Sequence, residues 1–519
     1  MAFSIPQRPL GSRFTSLLHS YAQDDGLPFA SVLTEQQIQA AAAAEGANFG
    51  CGPDDVYTTA ITLFGFIGQY LAGHKSCVAA VARIIALRVA LNLAPCSAAT
   101  SAYCKARAKL PEGFLRRLTY EVGTQLEDQA PSAWRWHDRR TLLVDGTTNT
   151  LADTPANQRA YPQSRSQRPG MGFPTIRLVV LLAFATAVLV GAAWGPWRGK
   201  ETGETALFRQ LLDQLRTGDV VVADRYYCSY FMIALLQAHG VDAAFRLHHL
   251  RHYDFRRGRR LGRGDHVVEW QRPPRPTWMD EATYASMPET LTVRELRFRV
   301  DVPGCRSPEI VMATTLLDHH AYSADDLADV YHQRWHVELD LRSIKQTLCL
   351  EMLACKTPAM VHKEIWAHLL GYNLVRKAAA QAAWERDLKP RQISFAGTVQ
   401  SLAAFAGALL ASAAEQRAFV YQTLFIAIAT HIVGNRILSM ALEKAGYKVV
   451  SLGALTPAAD FVKAAVETAA DAILVSSLYG QGELDCRGFR DLCVEAGLER
   501  ILLYVGGNLI VGKHPWPAV

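Results

Sequence analysis

The stretch Tyr331-His-Gln-Arg-Trp-His-Val-Glu-Leu-Asp-Leu-Arg-Ser-Ile-Lys345 decides how this chain is read. At about 100° per residue, a helix over these positions brings Tyr331, Arg334, Glu338 and Lys345 within roughly 60° of one face. That face offers one carboxylate flanked by two cations and a phenol. Ser323 opens the helix, and Asp325 and Asp326 fall in its first turn, where negative charge suits the helix dipole. A solvated amphipathic helix also gathers charges on one face, so spacing alone leaves that alternative open. It accounts less well for Trp335 and Arg342 accompanying Glu338.

Working outward, two apolar runs each end on an acid: Thr141-Leu-Leu-Val-Asp145 and Asp219-Val-Val-Val-Ala-Asp224. Continuous apolar, β-branched runs predict central strands buried on both faces. Asp145 and Asp224 then stand at the carboxyl ends of strands, where α/β folds place ligand and metal chemistry. Past the second acid comes RLHHLRHYDFRRGRRLGRG, starting at Arg246, with seven Arg, three His, Tyr253 and Phe255. Such a stretch either tracks a phosphate backbone or is a surface loop with its Arg heads in water. Glu309 to Leu317 resumes a strand pattern, while Trp366 to Ala383 and Ala403 to Gln422 are helical.

Residues 1–130 read as helical, with an Ala- and Gln-rich segment from Thr34 to Glu45 and helical apolar spacing from Val56 to Leu91. The longest apolar run, Leu178 to Ala193, is shorter than the ~18 residues of a membrane span and predicts a buried β-hairpin. No apolar signal-peptide core follows Met1. The 519 residues suggest two to four domains, and 50% hydrophobic with 20% charged residues is a globular composition. A net charge of +6 names no partner, so nucleic-acid binding has to lie in local clusters. Ten cysteines without a CxxC pair exclude the usual zinc and redox spacings and predict reduced thiols in a cytoplasmic protein.

The pattern Y-x2-R-x3-E-x6-K met by Tyr331, Arg334, Glu338 and Lys345 resembles the signature of DDE transposases of the insertion-sequence-four group. The resemblance extends over VDGTTNTLADTPANQ, PGMGFPTIRLVVLL, GPWRGKETGE and VVADRYYCSY, roughly residues 100–415. It implies a ribonuclease-H-like core with Asp145, Asp224 and Glu338 as first, second and third catalytic acids, and a mainly β insertion that suits residues 246–310. Phosphodiester cleavage and strand transfer need an in-line nucleophile and a stabilised oxyanion, which two Mg2+ or Mn2+ ions can supply. Hard cations take carboxylate oxygens, which explains three acids without His or Cys. Arg334 and Lys345 would hold phosphates, Tyr331 would bond a terminal phosphate or stack on a base, and Arg256 and Arg257 would add backbone-tracking charge. For Trp197 and Trp335 core packing is the expectation.

The last hundred residues change texture. Leu424–Ala429, Val449–Leu452, Ile473–Leu478 and Ile501–Val505 predict four short strands alternating with helices, a small parallel sheet wound on both faces. Loops after His431, after Val475 and after Val505 would line one carboxyl edge. Together they resemble the cobalamin-binding small subunit of glutamate (methylaspartate) mutase, almost continuously from about 431 to 517. The resemblance implies a flavodoxin-like domain with His431 as lower axial cobalt ligand. Ser476, Ser477 and Leu478, with Gly506, Gly507, Asn508, Leu509, Ile510, Val511 and Gly512, would contact the corrin and its nucleotide tail. Two departures stand against this. The motif's Asp falls at Ala429, removing the carboxylate that would orient the ligand His, and the chain stops at Val519, before that fold's last strand and helix.

The reading is therefore α/β. It has a helical region over 1–130 with possible DNA contact, a ribonuclease-H-like catalytic domain over 131–415 with a β insertion near 246–310, and an incomplete cobalamin-type domain over 423–519. The two are joined near FIAIATHIVGNRIL, as if by fusion. The expected function is metal-dependent DNA transposition by a homodimer on transposon ends and target, with cobalamin a doubtful second cofactor. The alternative is a cobalamin-binding mutase subunit carrying an inactive transposase remnant, with the mutase large subunit as partner.

Overall fold

The chain divides into two units, Met1–Gln214 with Asp340–His431, and Leu215–Leu339 with Ile432–Val519. The computed structural model describes residues 33–507, apart from 48, 53–54, 72–74, 91–92, 165–167, 169, 300–308, 335, 432–441, 443–444, 451, 453–455 and 478–485. Trp335, Leu478 and the 508–512 loop lie outside the described residues.

In the first unit, strands β1 (Thr141–Leu151), β2 (Thr175–Ala183) and β3 (Leu189–Pro196) form an antiparallel meander. The short β10 (Met352–Leu353) runs parallel to β1. The apolar run from Leu178 is thus the expected hairpin, buried throughout to Ala193. β1 does not stop at its acid. Thr147, Thr148 and Thr150 are good strand formers that carry it on to Leu151, so Asp145 lies mid-strand, opposite Val180, and not at a strand end.

Among the described residues, five α-helices precede this sheet: α1 (Glu35–Ala44), α2 (Thr59–Leu71), α3 (Cys77–Ala90), α4 (Ser101–Lys109) and α5 (Glu112–Asp128). Thr34 starts α1 with a capping box closed by Gln37. Short α6 (Pro155–Ala160) and α7 (Glu204–Arg209) interrupt the strands. Behind the sheet runs α12 (Pro358–Glu385), buried on nearly every side from Glu364 to Ala383, as a helix apolar all round must be. Asn373 on α12 ties three elements together. Its Nδ2 donates to the carbonyls of Thr119 on α5 at 3.0 Å and Leu189 on β3 at 2.9 Å, and its Oδ1 accepts from the Leu189 N–H at 2.8 Å. Gly123 lets α5 approach β3, since a Cβ there would stand 2.1 Å from the Leu189 carbonyl oxygen.

The unit closes with α13 (Phe395–Ala411) and α14 (Ala414–Thr430), which divide the expected 403–422 helix at Ser412. The strand expected over Leu424–Ala429 is helix. Leu424, Phe425, Ile428 and Ala429 are the buried positions, a spacing of one and four that belongs to a helical stripe.

In the second unit, six neighbouring strands pair in mixed directions. Strand β4 (Val220–Ala223) pairs in parallel with β5 (Asp242–Arg246), joined by α8 (Tyr230–Ala238). Antiparallel to β5 follows β9 (Glu309–Thr314), then β8 (Thr290–Arg299), β7 (Asp265–Gln271) and β6 (Arg259–Gly262), with α9 (Glu281–Ser286) between β7 and β8. Strands β6, β7, β8 and the start of β9 fall within the 246–310 segment, of which 300–308 lie outside the described residues. The helix expected through Tyr331–Lys345 is segmented: α10 (Ala324–Gln333), α11 (His336–Arg342), then a π turn over Ser343–Thr347. A π turn adds a residue per turn, so a face drawn at 100° per residue ends before Lys345.

The C-terminal part of this unit holds α15 (Ala458–Thr468), β11 (Ala472–Ser477), α16 (Phe489–Glu495) and β12 (Leu502–Gly507). The two strands pair in parallel, Ala472 opposite Leu502 through Ser477 opposite Gly507. Of the four strands expected here, two form among the described residues. Over Val449–Leu452 the described residues form no strand, Leu452 being buried and Val450 exposed.

Candidate active site and cofactor loops

The first acid, Asp145, is half-buried on β1, with the Gly146 N–H donating to its Oδ1 at 2.8 Å. Over Gly146 lies the side chain of Glu204, the first residue of α7. A Cβ at 146 would be 2.4 Å from the Glu204 Cδ, so a larger residue there would displace the Glu204 side chain. Glu204 is a second carboxylate next to the Asp145 backbone. It sits in the GKETGE stretch that carried the resemblance, but no role had been read for it. Nearby on β2, Arg177 donates to the Thr202 carbonyl at 2.8 Å and stacks on Trp197, 4.2 Å from the ring centre. Trp197, expected in the core, is 38% exposed and shelters that guanidinium.

Asp224 follows β4 directly and accepts the Tyr226 N–H on Oδ1 at 2.8 Å, an Asx turn that fixes the carboxylate at the strand's end. In the same unit stands Tyr331, buried on α10. Burial pushes its phenol upward, Arg334 and Arg246 oppose, and Glu467 and Asp224 add to the rise. Asp224 and the Tyr331–Arg334 turn therefore share one electrostatic neighbourhood. Arg334 is buried, with its Cζ 5.7 Å from the Tyr331 ring centre.

Glu338, on α11, is held by two cations. Arg334 Nη2 stands 3.5 Å from its Oε1 and Lys463 Nζ, from α15, 2.5 Å from its Oε2. Arg334 also reaches Glu467 Oε2 at 3.7 Å. Burial raises the Glu467 carboxyl, with Arg334 opposing. Lys463 and Glu467 were not read from sequence as site residues. The acids are divided by unit: Asp145 belongs to the first, Asp224 and Glu338 to the second, and Lys345, on the π turn, to the first. Beyond Leu339, α11 is anchored by Asp340, whose carboxylate accepts from Arg376 at 2.6 Å and Arg391 at 2.7 Å, all three buried or nearly so.

In the basic stretch, Arg256 and Arg257 are exposed on a turn. Arg256 forms a fork on Asp254 at 2.8 and 3.0 Å, which holds that carboxyl down at about 2. Arg259, Arg260 and Arg263 are exposed as well, whereas Arg251 packs on Trp270, 3.6 Å from the ring centre. The stretch is thus part free charge, part packing.

Three carboxylates are the donor type hard divalent cations take. At Glu338, however, both oxygens face cationic side chains, and among the described residues no three His, Cys, Asp or Glu stand together as a metal-holding group. In this arrangement a divalent ion at Glu338 would compete with Lys463 for the carboxylate.

The cobalamin residues separate in the same way. His431 caps α14 in the first unit. Its Nε2 is 2.8 Å from Ser401 Oγ, and the ring lies against Gly397, where a Cβ would come within 2.5 Å of it. Ala429 offers no carboxylate to orient the ring. Ser476, Ser477, Gly506 and Gly507 end β11 and β12 in the second unit. His431 is exposed at the end of α14, and its Nε2 would have to give up the Ser401 bond, with no carboxylate at 429 to orient the ring, before it could serve as a lower axial cobalt ligand.

A transposase DDE domain model matches residues 136–374, and a B12 binding domain model matches residues 426–516. Transposase InsG for insertion sequence element IS4 of Escherichia coli K12 is 27% identical over 301 residues, 57% of this chain and 65% of the relative. The glutamate mutase sigma subunits of Clostridium tetani and Clostridium cochlearium are each 64% identical over 89 residues, 17% of this chain and 65% of the relative. The chain thus spans about two thirds of the length of each of these relatives. No helix among the described residues is long and apolar enough to cross a membrane. The chain carries a transposase DDE domain similar to the IS4 element's in its N-terminal and middle part, and at its C-terminus a B12-binding domain similar to glutamate mutase sigma subunits.

Proposed function

We propose that this chain is a cytoplasmic DNA transposase, cleaving and joining strands on a ribonuclease-H-like core with Asp145, Asp224 and Glu338 as its acids. The observation that carries the reading is the transposase DDE match over 136–374, which spans all three. The antiparallel meander, the parallel β4–β5 pair and the strands within 246–310 support it. Mg2+ or Mn2+, when bound, would activate the attacking water or 3′-hydroxyl and stabilise the leaving oxyanion.

The chain's own residues then have distinct tasks. Asp224, fixed by its turn, presents a carboxylate at a strand end. Arg334, stiffened by the buried Tyr331 ring beneath it, holds a phosphate beside the cut. With its phenol buried, Tyr331 acts through Arg334 and not on a base. Lys345 adds a second phosphate contact, and Arg256 and Arg257 follow the DNA backbone. Two ends would be brought together by a homodimer.

The flavodoxin-like reading of the tail has the parallel β11–β12 pair in its favour, but His431 and Ala429 do not suit cobalt ligation. No mutase step is derived, and association with a mutase large subunit has no observation that favours it over the first reading. Strand transfer of DNA carrying the element's terminal repeats, with Mn2+, tests the proposal: Asp145→Asn, Asp224→Asn and Glu338→Gln should each abolish it, and normal activity in any one would remove that acid's role. Incubation with hydroxocobalamin should give no visible-spectrum shift dependent on His431.

A further inference from the structure

The B12-type segment meets the DDE glutamate directly. Lys463 and Glu467 lie one turn apart on α15, on the same face. Lys463 takes Glu338 Oε2, Glu467 faces Arg334, and Arg334 takes Glu338 Oε1. The four side chains alternate in sign along a chain of three ion pairs, Lys463–Glu338–Arg334–Glu467, with its two ends one helical turn apart. Apolar packing holds these pairs in place. Ala464, on the same face, is buried with Leu452, and Phe461 and Leu339 pack against them. A second ion pair, Lys448 with Asp329, ties the segment to α10. All of these contacts lie within one unit.

We propose that α15 is an occluding clamp on the transposase acid: the Lys463 ammonium occupies the position a divalent cation would take at Glu338, and Glu467 holds away the arginine meant for phosphate. The clamp rests on the reading of Glu338 as a metal-holding acid. It gives the appended segment an inhibitory role that needs no cobalamin. A monovalent ammonium competes with Mg2+ or Mn2+ by charge and by space, so the clamp opens when metal and DNA together outbid it.

The test is Mn2+ binding to the full-length chain, followed by electron paramagnetic resonance titration. Lys463 is 54% exposed at its side chain, so its replacement does not hollow the core. Lys463→Ala should tighten Mn2+ binding about tenfold, or about 1.4 kcal/mol. Lys463→Arg should leave it unchanged, and the gain should vanish in Lys463→Ala combined with Glu338→Gln. Wild-type affinity in Lys463→Ala, or a gain that persists without Glu338, overturns the clamp. DNA cleavage by Glu338→Gln separates the two ideas. Loss of cleavage with no Lys463 effect removes the clamp alone, and unimpaired cleavage removes the reading of Glu338 and the clamp with it.

Discussion

The two matched segments differ inversely in likeness and in the amount of paired sheet among the described residues. The transposase-like part, 27% identical to the IS4 protein, builds an antiparallel meander and six neighbouring strands paired in mixed directions around buried helices. The mutase-like part, 64% identical to its relatives, pairs two strands among the described residues. Its apolar strand residues stay uncovered: Leu474 is 41% exposed, Leu502 54% and Tyr504 57%. Loops and side chains carry identity, but a parallel sheet needs neighbouring strands and both faces covered before its residues gain from burial. Here the segment that would supply the first strand is spent on α14, where four buried residues at helical spacing are better served.

If the transposase-like part is the working one, changes there should have the larger effects. Asp224→Asn should slow Mn2+-dependent strand cleavage by at least about 10³-fold, a loss of about 4 kcal/mol of transition-state stabilisation read from single-turnover rates. Asp340→Ala should cost about 3–5 kcal/mol in denaturant unfolding, because it strands Arg376 and Arg391 as buried charges.

Glu127 tests the same core through pH. Burial raises its carboxyl to about 7 from 4.5, with the Thr186 hydroxyl, which donates to it at 2.6 Å, opposing. Between those values the unfolded chain has lost a proton that the native state keeps, so stability falls as pH rises through that window. Glu127→Gln should flatten the slope, a change of at most about 3 kcal/mol between pH 4.5 and 7. The smallest effect belongs to the exposed turn. Arg256→Ala and Arg257→Ala should each lower the salt dependence of DNA binding by about one unit of slope, with little change in sequence preference.

Much of this was legible in the chain. The Leu178–Ala193 hairpin followed from an apolar run too short for a membrane span, whereas the β insertion near 246–310 was implied only by the family resemblance. Asp145 was misplaced within its strand because the threonines after it look polar, although β-branching lets them extend β1. The Tyr331–Lys345 helix was read as unbroken because a π turn leaves no periodic signature. Leu424–Ala429 suited strand or helix equally well until the partner helices determined which side chains were buried. Glu204 and Lys463 had no local signal at all. Each becomes a site residue only through an approach that folding creates, one over Gly146 and the other onto Glu338.

On the proposed reading, Asp145, Asp224 and Glu338 make this chain a DNA strand-cleaving enzyme that needs no cobalamin. The most direct test of that reading is the rate at which the full-length chain nicks end-labelled terminal-repeat DNA with Mn2+ and without cobalamin. The account predicts metal-dependent cleavage that Glu338→Gln reduces by about 10³-fold or more. Equal rates for wild type and Glu338→Gln would contradict it.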